Sequence, residues 1–66
     1  MLTENDKEKA ENLLTELLLA GLRAPEHIKG AIADLAIGVA DLLEPEQVER
    51  AKDYAAFRNR YHDNAK

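Results

Sequence analysis

The most apolar part of this chain runs from Ile28 to Leu43, and its pattern is helical. Ile28, Ile32, Leu35, Val39 and Leu42 recur at spacings of 4, 3, 4 and 3, which sets them in one stripe along a helix. Ala31, Ala36 and Leu43 widen the stripe, and Ala33 and Ala40 extend it further. No other segment is apolar on as many sides, so the spacing predicts that this is the central helix. Earlier in the chain, Ala10, Leu13, Leu14, Leu17 and Leu18 form a second broad apolar face, interrupted by Glu11 and Glu16. A weaker third face is carried by Val48, Ala51, Tyr54, Ala55, Phe57, Arg58 and Tyr61.

Helix boundaries follow from local punctuation. Thr3 and Asp6 have the spacing of a capping box, and Glu4, Asp6 and Glu8 suit the positive end of a helix dipole. Gly21 is placed to end the first helix in a left-handed conformation, with Leu22 folding back on Leu17 or Leu18. Pro25 and Pro45 each suit a first helical position, and Glu44, preceding proline, is pushed out of the α region. The sequence therefore predicts an all-α three-helix bundle with helices near 4–20, 25–43 and 45–62. The short link at residues 22–24 makes the first two antiparallel neighbours.

Length changes the picture. The chain has 66 residues, room for one domain, and a domain of that size buries only roughly 60% of its unfolded surface. Such chains often rely on a disulfide, a metal or a second subunit. There is no cysteine, and His27 and His62 sit in no ligand cluster, so no metal and no cofactor is expected. Association is the remaining route. On helical wheels the first two helices spread apolar and small residues over roughly 200°, against the somewhat more than 100° that a monomeric bundle needs. The surplus includes Leu19 and Ile37. Gly30 and Gly38, each costing about 1 kcal/mol in a helix interior, fit a close approach by another helix. Leu19, Gly30, Asp34, Ile37, Gly38 and Asp41 are accordingly the expected second face, and a homodimer is the expected state.

Charge narrows the partners. The net charge of −4 disfavours nucleic acid and anionic membranes. No apolar run approaches the ~20 residues of a membrane span, and the acidic N-terminus does not read as a signal peptide, so a cytoplasmic protein is expected. Charge is uneven, however: residues 1–22 carry five acids and two bases, whereas residues 45–66 carry four acids and five bases.

Catalytic signatures are missing. There is no serine, no phosphate-binding glycine loop and no pair of metal-binding histidines on one helix turn. Thr3 reads as a cap and Thr15 as part of the polar side of the first helix. Asp34 and Asp41 share one side of the second helix, but acid–base work would need a pocket that separates their pKa values. The chain is therefore expected not to be an enzyme. Its expected role is that of a protein-interaction module, an adaptor, inhibitor or anti-activator working through helical faces. Tyr54, Phe57, Arg58 and Tyr61 are the expected partner-binding residues, because tyrosine and arginine are enriched at interface hot spots. Equally, Tyr54 and Phe57 could simply complete the core. The alternative is a small DNA-binding regulator reading with helix 45–62. Against it stand Glu46, Glu49 and Asp53 in the half of that helix that would enter the groove.

Overall fold

The structure, a computed structural model, describes the backbone of residues 2–64 and the side chains of residues 2–61. It contains three helices, α1 (Glu4–Arg23), α2 (Glu26–Ala40) and α3 (Pro45–Asn64), and among the described residues no strand. The predicted three-helix bundle is what forms. The histidine and aspartate at 62 and 63 and the last two residues fall outside the described side chains.

Each helix starts where short-range chemistry starts it. At α1 the Thr3 hydroxyl accepts from the Asp6 amide at 3.1 Å, and the Asp6 carboxylate accepts from the Thr3 amide at 3.3 Å, a complete capping box. Pro25 is the N-cap of α2 rather than its first helical residue. At α3, Pro45 opens the helix, and the Gln47 side-chain oxygen accepts from the Glu44 amide at 3.1 Å.

Two boundaries differ from expectation. No glycine has a positive φ, and α1 runs straight through Gly21 to Arg23. Its end is set instead by extended backbone at Ala24, the residue before Pro25, as steric crowding by the proline ring requires. Leu22 does not fold back; it stays half exposed. Helix α2 stops at Ala40, where residues 41–43 turn before Pro45 begins α3.

Helix α1, not α2, is the central element. It packs along both of the others, while α2 and α3 scarcely touch. Helix α2 returns antiparallel to α1. Helix α3 then runs parallel to α1, since Arg50 reaches Glu11 and Arg58 reaches Glu16. The result is a splayed up-down-up layer with extents of 40 × 26 × 16 Å.

One residue from each helix meets at the centre: Leu14 of α1, Ala36 of α2 and Ala51 of α3. Leu17, Leu18, Val39, Ala40, Leu43 and Val48 pack around them. The apolar stripe of α2 is thus turned from the direction its spacing suggests. Ile32, Ala36, Val39 and Leu43 face inward, whereas Leu35 is 60% exposed and Leu42 57%. Small side chains explain the turn. Ala36 and Ala51 let three helices converge on Leu14, and Gly21 gives Ile32 room, with its Cγ2 3.5 Å from where a Cβ on residue 21 would lie. Directing Leu35 into that junction would hold the helices apart.

Thr15 also departs from expectation. It is buried rather than on a polar side, and its hydroxyl donates to the Glu11 carbonyl at 3.2 Å, which satisfies it within its own helix.

Candidate partner-binding face

Helix α3 meets α1 through Ala51 and Ala55, four residues apart and both buried. With the alanines inward, helical phase carries Tyr54, Phe57 and Tyr61 to the neighbouring flank, where they are 55%, 63% and 69% exposed. They do not complete the core. Phe57 and Tyr61, one turn apart, stack with ring centroids 6.3 Å apart and planes inclined by 19°. Arg58 lies over the Tyr54 ring at 5.8 Å.

Two carboxylates of α1 lock this flank. Glu11 takes a bidentate contact from Arg50, at 2.9 Å to Nε and 2.6 Å to Nη2, and a further bond from the Gln47 amide at 3.4 Å. The hydrogen bond from Arg50 holds the Glu11 carboxyl below the usual glutamate range, partly opposed by the burial of the carboxylate. The same contact raises Arg50. Glu16 accepts from Arg58 at 2.7 Å, which raises Arg58. With its guanidinium tied to Glu16 on one side and set over Tyr54 on the other, Arg58 is fixed in place beside the aromatic pair.

Beside this clamp lies an open depression of about 500 Å³, lined by Leu19, Ala20, Arg23, Phe57 and Tyr61 with Glu16 and Arg58 at its edge. Its floor is aliphatic, one wall is aromatic and its rim carries both signs of charge. Such a hollow can seat an apolar side chain of a partner while the rim arginines meet carboxylates or carbonyls.

Tyr54, Phe57, Arg58 and Tyr61 therefore stand together on one flank. The second set does not stay together. Leu19 is 7% exposed and lies on the α3 side of α1, so it belongs to the chain's own packing. Gly30, Asp34, Ile37 and Gly38 are exposed on α2, and Asp41 is exposed at its C-cap. A Cβ at Gly30 or Gly38 would meet nothing within 4 Å, so no helix of this chain makes the close approach that their presence suggested. Nothing in the structure explains Gly30.

Glu11, Glu16 and Gln47 were not among the residues the sequence singled out for this face. The signal was present, since two glutamates interrupt the apolar face of α1, but it named no cation for them. Among the described residues no group of three or more potential metal ligands forms, and no helix is long and apolar enough to cross a membrane.

Fold and face together define a small all-α domain in which one helix carries two that splay from it. No protein-family model, curated protein or solved structure matches the chain.

Proposed function

We propose that this chain is a noncatalytic protein-binding module, an adaptor or inhibitor that engages another protein through the aromatic–arginine flank of α3. The observation that carries the reading is the exposure of Tyr54, Phe57 and Tyr61 beside an arginine already held in position by Glu16. Large aromatic side chains on water are costly unless covered, and holding Arg58 and the Phe57–Tyr61 stack in place beforehand lowers the entropy lost on binding. The open depression supports the same role, because it offers a seat for a side chain.

Protein fits this flank better than DNA. Glu46, Glu49 and Asp53 are exposed along the N-terminal half of α3, and Arg50 and Arg58 already have carboxylate partners within the chain. Helices α2 and α3 also lack the mutual packing with which a helix-turn-helix presents its reading helix.

The test is affinity capture from the source cell, followed by titration of the recovered protein against the wild type and against Phe57→Ala and Tyr61→Ala. Both side chains lie outside the core, so the variants keep their helicity. Loss of about 2 kcal/mol, roughly a 30-fold weaker complex, is expected for at least one of them, with little dependence on salt. Unchanged affinity in both variants overturns the reading, and a steep fall of binding with salt redirects it to nucleic acid.

A further inference from the structure

We infer that two copies of this chain pair through the outer side of α2 and the turn that follows it, the stripe formed by Ile28, Leu35 and Leu42, with Leu13 of α1 beside it. This surface is separate from the α3 flank and stands or falls independently of it.

The first observation is area. The chain exposes 5038 Å². A compact monomer of 7.4 kDa is expected to expose roughly 4,200 Å². The excess of about 800 Å² belongs to the whole chain, the α3 flank included, and is of the size that one partner contributes to a standard interface.

The second observation is where the aliphatic side chains of that exposed surface lie. Leu35 is one residue before Ala36, so it sits about 100° around α2 from the side chain that points to the core. Ala40, which packs against the Leu14–Ala36–Ala51 core, lies on the other side of Ala36. Ile28 and Leu35 therefore occupy the flank of α2 that faces away from α3, and the exposed Leu42 follows in the turn after the helix. Leu13 precedes Thr15, on the α3 side of α1, by two residues, which places it on the far side of α1 as well, and it too is half exposed. The hairpin of α1 and α2 thus carries an uncovered apolar face on the side that α3 leaves open.

The third observation selects a second copy as the occupant. Ile28 and Leu42 each lie seven residues from Leu35, with Ala31 and Gly38 between them, and none of these positions is charged. Laid antiparallel across a two-fold axis at Leu35, the stripe matches itself. Leu35 meets Leu35, Ile28 meets Leu42, and Ala31 meets Gly38 on the same rim. Large layers alternate with small ones along α2 and into the turn that follows it, which lets the axes approach to the short end of the usual 8–10 Å. This gives Gly38 the close neighbour that its own chain does not supply. Asp34 and Asp41 border the stripe, which suits water at the rim of a pair and opposes docking on an anionic membrane.

Two measurements on the full chain test this. Sedimentation equilibrium should show the wild type as a dimer at micromolar concentration and Leu35→Asp as a monomer. Since pairing can be coupled to folding, cross-linking provides a second readout. The chain has no cysteine, so Leu35→Cys should form a disulfide-linked dimer on mild oxidation and retain its helicity, because the axis sets residue 35 against its own copy. Ile37→Cys, equally exposed but on another side of α2, should stay largely unlinked. A wild type that remains monomeric at every concentration assigns the face to a different protein and overturns the inference. So does a Leu35→Asp dimer, or equal cross-linking at 35 and 37.

Discussion

Leu14 is the largest side chain that the fold buries completely, at 2% exposed, and Ala36, Ala51 and Ala55 make up most of the remaining apolar core. Alanine gives up no side-chain entropy on burial, but it also removes little apolar area from water. The alanines therefore act mainly through distance: they let α2 and α3 lie close enough to α1 for Leu14 to be enclosed. Glycines act differently here. Gly21 faces Ile32 at van der Waals distance, whereas Gly30 has open space where a side chain would go. Gly30→Ala is accordingly expected to raise stability by about 0.8–1.0 kcal/mol through helix propensity alone, measured by urea denaturation. A destabilised variant would mean that another molecule needs the space above Gly30. No property of residue 30 in the sequence distinguishes it from residue 38. The roughly 80° between them around α2 matters only once the core-facing direction is known.

At the scale of elements, the chain relies on carboxylates of α1 to hold α3, because the two contact alanines of α3 supply so little adhesion. Glu11 is the principal anchor, binding Arg50 and Gln47 at once. Its carboxyl is held below its ordinary value, so its contribution to stability is fully present above the unfolded value of about 4.3. That contribution is lost as pH falls through the lowered folded value. Glu11→Gln should therefore be less stable than the wild type at neutral pH, and the two should converge as pH falls through the lowered folded value, where the wild-type carboxylate takes up its proton. Denaturant titrations at neutral and acid pH check this; a constant gap between the two proteins would mean that the clamp contributes nothing through its charge. Glu46 lies one turn before Arg50 on α3, yet the bidentate contact of Arg50 goes to Glu11. A neighbour on the same exposed helix surface offers less than a bidentate, partly sheltered carboxylate on another helix.

For the whole molecule, a splayed layer with a core of few side chains exposes more surface than its mass requires. Stability that depends on covering this surface must depend on concentration. If two copies fold as a unit, the thermal midpoint of the wild type rises as protein concentration rises, and that of Leu35→Asp does not. Calorimetry over a wide concentration range decides the matter, and a midpoint independent of concentration in both proteins counts against coupled pairing. The two apolar surfaces have different characters. The α3 flank is aromatic, carries arginine and is fixed by ion pairs; the outer side of α1 and α2 is aliphatic and uncharged. That difference suits one of them to a foreign protein and the other to an identical chain.

The number of helices, their starts to within a residue and the turn-back after α1 were legible in the sequence. Each depends on neighbours a few residues apart: a capping box at Thr3, prolines at 25 and 45, and apolar recurrence every three or four positions. The tertiary structure alone decided which helix is central, which side of α2 turns inward and which cations Glu11 and Glu16 hold. An apolar arc of roughly 200° has no single inward direction of its own. That direction is set where Leu14, Ala36 and Ala51 can meet, and the ion pairs join residues some forty positions apart that no local spacing relates.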